Sequence, residues 1–351
     1  MALLEWPELG DILKEGLNIN PQDLTVRIDR AIDARSDLLN GDQTTAIRLF
    51  NGFSESCPGL VIDMYARTLV LAAPEVMQQI LESIQAHLLS RLPQVNCVIQ
   101  KMRASHDPIR RRVIMTFGNN PATQIQEHGI WYAVDLMMNQ DTSLYLDTRN
   151  LRRWLLENAA GCSVLNTFAY TGSLGIAALA GGAASVVQID RSHKFLALAH
   201  QSCGLNNLDM GKMELHAVNF FSEVARLKHK ADSFDCVIAD PPIFSATKQG
   251  TVDLVNESVR VINKLRPLVQ DGGRLVMVNN ALFLSGQDYM HSLEQLCIDG
   301  YLSIETLLPI PLDFTGYPQT IVTPPPVNPT PFNHSTKIVI FRVRRKIKSI
   351  Y

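Results

Sequence analysis

From residue 163 onwards, short β-branched runs alternate with helical stretches, and this alternation constrains the fold more than any other feature. Ser163-Val-Leu-Asn166, Ser185-Val-Val-Gln-Ile189, Phe234-Asp-Cys-Val-Ile-Ala239 and Arg274-Leu-Val-Met-Val278 read as strands. Helical patterning lies between them at 175–179, 194–206 and 252–268. Apolar strands joined through helices are covered on both faces and run parallel, so an α/β doubly wound sheet is expected. Two further strands, 302–308 and 337–343, have no helix between them, which makes the last strand antiparallel. They are joined across a Pro-rich run, Thr323-Pro-Pro-Pro-Val-Asn-Pro-Thr-Pro-Phe332. A stiff loop of that length is expected at the ligand side of the sheet, as a cover for a substrate or as a plain connector.

The chain has 351 residues, room for roughly two domains at about 150 residues each. Residues 1–40 are expected to form a helical segment opened by Pro21. Strand runs at 47–50, 60–64, 68–72, 98–100, 113–117 and 131–134 flank an amphipathic helix over 74–92. They predict a smaller α+β domain over 41–140, with the α/β domain occupying 141–351. The net charge is −2, so nucleic-acid binding would have to come from local basic patches. Candidates are Lys101 with Arg103 and Arg110–Arg112, Arg149 with Arg152 and Arg153, Arg342–Lys348, and Lys248. Six cysteines contain no Cys-x-x-Cys pair, against a zinc site or a disulfide framework. With no basic leader and no long apolar span, a soluble cytoplasmic protein is expected, without membrane or metal; the oligomeric state stays open.

Four polar features fall at successive strand ends. Asn166-Thr-Phe-Ala-Tyr-Thr-Gly-Ser-Leu-Gly175 turns from strand to helix, Asp190 ends the second strand, Asn219 follows the third, and Asp240-Pro-Pro-Ile-Phe244 follows the fourth. Each has a plain structural reading: a tight turn, a helix cap, a turn residue, a packed aromatic. Together they suit a nucleoside cofactor lying across the carboxyl ends of parallel strands, with a carboxylate on the ribose hydroxyls. The chain lacks Gly-x-Gly-x-x-Gly and Gly-Lys-Ser/Thr, against NAD and ATP.

Asp141-Thr-Ser-Leu-Tyr-Leu-Asp-Thr-Arg149, the 165–173 turn and Asp240-Pro-Pro-Ile-Phe-Ser245 resemble the bacterial 23S rRNA large-subunit methyltransferase families. Arg48-Leu-Phe-Asn-Gly52 and Pro58-Gly-Leu-Val-Ile-Asp-Met-Tyr65 also resemble the central domain of their cytosine-5 branch. The resemblance spans roughly residues 25–345. It implies a Rossmann-like class I methyltransferase domain using S-adenosyl-L-methionine on ribosomal RNA. By this resemblance Phe168, Ala169, Tyr170, Thr171, Gly172 and Ser173 surround the methionine part of the cofactor. Asp190 holds the ribose, Asn219 stands where an acidic residue is usual near the adenine, and Asp240 lies beside the methyl donor, with Arg149 also in the cofactor set. The usual PUA or THUMP domain has no counterpart in this sequence.

Cytosine carbon 5 requires a cysteine nucleophile, and neither 240–244 nor 278–281 contains one. A ring or exocyclic nitrogen is therefore expected as the acceptor, with Asp240, Pro242 and Phe244 as the catalytic turn and Phe244 stacked on the base. Asn279-Asn280 resembles the guanine-N7 branch. Competing expectations are methylation of a small molecule or a protein, and a non-catalytic cofactor-binding module.

Overall fold

Asn20 accepts the Gln22 N–H and Pro21 occupies the first helical position, so α1 begins at Pro21 and runs to Ala34. The computed structural model describes residues 20–103, 113–138 and 142–345. Arg110–Arg112, Asp141, Lys346, Lys348 and the first 19 residues lie outside this range. The described chain divides into two units, residues 1–146 with 311–325, and residues 147–310 with 326–351.

The first unit is built on a five-stranded sheet in the order β1-β2-β3-β4-β5. The strands are β1 Ala46–Asn51, β2 Val61–Tyr65, β3 Thr68–Pro74, β4 Cys97–Arg103 and β5 Val113–Phe117. Only β3 and β4 pair in parallel, and α2 (Gln78–Arg91) supplies their crossover. Leu24 and Ile28 of α1, Ile84 and Leu88 of α2, and Ile47, Leu49, Leu69 and Val98 of the sheet close one apolar core. A separate hairpin, β6 (Gln124–Glu127) and β7 (Ile130–Ala133), turns through left-handed His128 and Gly129. Its polar first strand carries no apolar alternation, and the sequence shows only the second.

The segment 311–325 lies between two strands of the other unit's sheet in sequence, yet packs into this one. Arg35, fully buried, donates to Glu55 Oε1 at 3.0 Å and to the Asp313 carbonyl at 2.8 Å. Asp313 Oδ2 in turn accepts the Arg48 N–H at 3.2 Å. The sequence reading places this segment in the α/β domain. Sequence distance hides the exchange, because the contacts are buried polar ones without a periodic signature.

The second unit holds a seven-stranded sheet, β10-β9-β8-β11-β14-β16-β15. Its strands are β8 Ser163–Thr167, β9 Ser185–Asp190, β10 Met213–Ala217, β11 Phe234–Ala239, β14 Val269–Asn279, β15 Leu302–Leu308 and β16 Lys337–Val343. All neighbours are parallel except β16, antiparallel to both β14 and β15. The order reverses between β8 and β11, where an open α/β sheet leaves its ligand crevice.

Helices α3 (Arg149–Asn158), α4 (Ser173–Ala180) and α5 (His193–Leu205) pack together beside β8 and β9. Helices α6 (Phe220–His229), α7 (Ser258–Leu265) and α8 (Gly286–Cys297) bury Val224, Ile262 and Leu293 in one cluster with Val237, Leu275 and Phe341 of the sheet. A hairpin of β12 (Phe244–Thr247) and β13 (Gly250–Asp253) replaces the start of the helix expected over 252–268. Val252 points inward from that hairpin, so its apolarity serves a strand.

The Pro-rich connection leaves β15 at the end shared with Asn279, since Leu308 pairs with Ile338 and Asn279 with Lys337. Its later part is fastened to α8. Gly286 donates to the Asn328 carbonyl at 2.9 Å, and Phe332 is buried 5.8 Å from the Tyr289 ring. Phe332 thus pins the end of this connection to α8, while Asn328, Thr330 and Pro331 stay exposed.

Candidate active site

The turn after β8 is built from left-handed residues: Phe168 at φ 57°, Tyr170 at 51° and Gly172 at 77°. Two of the three carry side chains, which costs on the order of 1–3 kcal/mol each and persists only where the surroundings over-determine the backbone. Asp190 at the end of β9 supplies much of that determination. Its Oδ2 accepts the Tyr170 N–H at 2.9 Å and its Oδ1 the Ser192 N–H at 2.9 Å, while Ala169 donates to the Ile189 carbonyl. Burial pushes the Asp190 carboxyl above the usual range against these donors. The cap of α5 is Ser192, so Asp190 does not serve that role.

The glycines of this turn make room for protein neighbours. A Cβ on Gly172 would lie 2.4 Å from Ala199 Cβ, and one on Gly175 would lie 2.5 Å from the Gln188 amide carbon. They allow α4 to approach β9 and α5, whose side chains fill the space a Cβ would need. Beneath the turn, buried Asn166 donates to Gln188 Oε1 at 3.0 Å. Phe168 packs on Phe220 at 4.3 Å between centroids, and Tyr170 meets Phe195 edge-on at 4.6 Å. Ala169 and Thr171 are buried and Ser173 opens α4.

Asn219 caps α6, its side chain accepting the Phe221 N–H at 2.9 Å. The capping role accounts for its oxygen and leaves the amide NH2 for a ligand. Asp240 leaves the end of β11 half-buried, followed by buried Pro241 and exposed Pro242, Ile243 and Phe244. Asp190, Asn219, Asp240 and the Phe168–Ser173 turn all lie at the carboxyl ends of neighbouring parallel strands, β10-β9-β8-β11.

The model of the S-adenosylmethionine-dependent methyltransferase family matches residues 114–297, 184 of 351. The chain belongs to this family. Among curated relatives, ribosomal RNA large subunit methyltransferase I of Escherichia coli is 29% identical over 286 residues, 78% of this chain and 71% of the relative. The enzyme of the same name from Aeromonas salmonicida is 32% identical over 229 residues, 63% of this chain and 57% of its own length. Bacillus subtilis YwbD, provisionally named for the same activity, is 29% identical over 268 residues, 73% of this chain and 66% of its own. The chain thus spans about two thirds of the length of these relatives. A structure of a methyltransferase complexed with SAH superposes with TM-score 0.82 at 24% identity, over 93% of this chain and 82% of that one. A Streptococcus mutans structure described as a SAM-dependent methyltransferase follows at 0.80 and 23%, with the same coverage. At this identity the superpositions speak for the fold.

The cofactor of the family is S-adenosyl-L-methionine, and the donor set of this methyltransferase fits it. The Asp190 oxygens receive backbone N–H groups of Tyr170, Arg191 and Ser192, and two carboxylate oxygens have acceptor capacity left that would suit ribose hydroxyls. The strained 168–172 turn lies at the end of the neighbouring strand, and an Asp240 carboxylate would suit a sulfonium cation. The Asp240 carboxyl is pushed up to about 7, by burial first and by the Asp147 carboxylate second, with the Arg152 guanidinium opposing them. Asp147 accepts from Thr336 Oγ1 at 3.0 Å. Arg152 donates to Thr148 Oγ1 at 2.8 Å and to Ser173 Oγ at 3.4 Å.

Asp147 and Arg152 are the functional neighbours that sequence reasoning missed. Both stand in or beside the 141–153 motif, but without the fold nothing joins them to Asp240. Arg149 and Arg152 are buried, and exposed Arg153 pairs with Glu157, so this trio is no phosphate patch. Arg149 occupies the first position of α3, 4% exposed. Lys101 is likewise fully buried. Arg342 is engaged by Glu305 and the Gly272 carbonyl, and Arg345 by two carbonyls. Lys248 remains exposed. Asn279, of the Asn279-Asn280 pair, is buried, donates to the Leu254 carbonyl and accepts the Ala281 N–H. No helix among the described residues is long and apolar enough to cross a membrane.

Proposed function

We propose that this methyltransferase acts in the cytoplasm on a base of large-subunit ribosomal RNA, at a ring or exocyclic nitrogen. The observation that carries the reading is the Asp240-Pro-Pro-Ile-Phe244 turn, with the Phe244 ring 54% exposed at the crevice edge. An aromatic left facing solvent beside a methyl-donor site suits stacking on an extruded base. The names of the curated relatives support RNA as the substrate class.

S-Adenosyl-L-methionine supplies an electrophilic sulfonium methyl when bound. Asp190 and the 168–173 turn hold and orient it, with the Asn219 amide beside the adenine. Pro241 and Pro242 fix the backbone of the turn, so Phe244 sets the plane of the base before transfer. Asp240, poised near neutrality, accepts an N–H of an exocyclic amine and takes its proton after transfer. A ring nitrogen needs only the positioning.

The cysteines favour nitrogen over carbon 5. Cys236 sits mid-strand in β11 with its thiol pushed up to about 12, chiefly by burial, which withholds the thiolate a covalent step requires. No cysteine occupies the carboxyl ends of β8, β9, β10, β11 or β14. The test is tritium transfer from labelled cofactor to RNA, protein and small-molecule fractions, followed by nucleoside analysis. An N-methylated ribosomal nucleoside is expected. Label confined to protein or small molecules overturns the substrate, and labelled 5-methylcytidine overturns the nitrogen.

A further inference from the structure

The β12–β13 hairpin has two chemically different faces. Phe244 pairs with Asp253 and Ala246 with Thr251, while Ser245 pairs with Val252 and Thr247 with Gly250. Directly paired residues share a face, so Val252 and Gly250 turn inward together. Val252 is 1% exposed, and a Cβ on Gly250 would meet the Phe221 ring at 2.8 Å. The outer face therefore presents Phe244 and Ala246, and the strand leads on to exposed Lys248 at the tip. Four residues of strand at about 3.3 Å each place Lys248 roughly 13 Å from Phe244, further than one nucleotide reaches.

Two more lysines gather at the ring that supports the hairpin. Lys264 Nζ stands 5.4 Å from the Phe221 centroid. Lys228 lies seven residues after Phe221, on the same face of α6. Burial first, and the Lys264 charge second, hold the Lys228 ammonium below its usual range, so the two cations are near neighbours. None of the three lysines has a carboxylate partner among the described residues. The acids around them are engaged elsewhere: Glu223 by Arg226 and His216, Glu257 by Arg260, and Asp253 by Val255 and Asn256. In a chain of net charge −2, three cations without a carboxylate partner around a hairpin that presents Phe244 to solvent call for a polyanion that also offers a ring.

We propose that Lys248, Lys264 and Lys228 form a track for the phosphate backbone of single-stranded RNA flanking the base that stacks on Phe244. The proposal rests on the RNA reading above and adds what the enzyme holds beyond the target nucleotide: an unpaired strand, gripped through its backbone. The hairpin thereby gives the second unit its own RNA contact, independent of any further domain. Backbone grip is insensitive to sequence, so it selects strand and not base.

The experiment measures binding of the full chain to a fluorescein-labelled 12-nucleotide single-stranded RNA by anisotropy, across a salt series. A duplex of the same length serves for comparison. The triple variant Lys228→Gln, Lys248→Gln, Lys264→Gln is expected to bind the single strand roughly ten-fold or more weakly, its log–log salt slope shallower by about 2, from about 0.7 per lost phosphate contact. Calorimetric affinity for S-adenosyl-L-methionine and the melting temperature stay as in the wild type. Lys212→Gln, beside the opposite end of β10, leaves the RNA slope unchanged. An unchanged slope in the folded triple variant overturns the track, as does equal wild-type preference for the duplex or no binding of the single strand. Wild-type binding and a triple-variant loss without methylation of any RNA would leave the track standing and remove the proposed activity.

Discussion

Asp190 carries two loads that a single substitution separates poorly. Its oxygens receive the Tyr170 and Ser192 N–H groups, and in the proposed site they also bind the ribose. Asp190→Ala is expected to weaken cofactor binding roughly 10-fold or more and to lower the melting temperature, because unpaired buried donors cost about 1–3 kcal/mol each. Calorimetry and a thermal scan read the two effects, and unchanged affinity in a folded variant would remove Asp190 from the site. Asp240 yields a prediction in pH. Its folded carboxyl is held at about 7 against an ordinary 3.8. Below the lower value both states are protonated and the burial costs nothing. Between the two values the unfolded chain ionises first, so stability falls as pH rises, and the loss is complete above the folded value. Asp240→Asn should therefore melt with the wild type near pH 4 and above it at pH 8. Cofactor affinity should rise between pH 6 and 8 in the wild type, as the carboxylate forms opposite the sulfonium, and stay flat in the variant.

At the scale of elements, the site depends on how tightly neighbouring pieces approach. The start of α8 is seated under the Pro-rich connection, where a Cβ on Gly286 would lie 1.8 Å from the Pro329 carbonyl oxygen. Gly286→Ala is expected to destabilise the protein by about 1–3 kcal/mol, as other overpacked sites do. Denaturant unfolding checks it, and a wild-type midpoint would show that residues 328–332 are free to shift. Alternation marked most strands correctly, since β8, β9, β11 and β14 are buried on both faces and read as apolar runs. The β12–β13 hairpin escaped because Phe244–Thr247 and Gly250–Asp253 show no apolar alternation and the single buried valine also fits a helix pattern. At the site, the order of strand-end residues was legible. The roles of Gly172 and Gly175 were not, because a missing side chain looks the same whether a ligand or Gln188 fills the space.

At the scale of the whole molecule, the chain leaves the α/β unit after Ile310 and returns at Pro326, and the segment between completes the smaller unit. Its anchor is a buried charge network. Arg35 and Glu55 are 0% and 1% exposed, and Thr320 also donates to Glu55 Oε1. Removing one partner strands the other charge, so Glu55→Ala is expected to cost about 3–5 kcal/mol. A melting temperature within a degree of the wild type would show that the network contributes nothing. The interleaving also predicts the pattern of damage. Lesions in 311–325 should unfold the smaller unit, although they lie between two strands of the methyltransferase sheet.

The sequence by itself determined the alternation of strands and helices, the antiparallel last strand and the order of polar residues at the strand ends. Each of these is written locally, in periodicity and in turn chemistry at fixed offsets. Only the tertiary structure decided that Asp240 is a carboxyl near neutrality, because that depends on burial and on Asp147 and Arg152, nearly ninety residues away or more. Only the structure showed that segment 311–325 belongs with the smaller unit, that Arg149, Arg152, Arg342 and Arg345 are spent internally, and that Lys264 lies over the Phe221 ring with Lys228 as its neighbour. Charge acts through space, and its consequences appear once folding sets the distances.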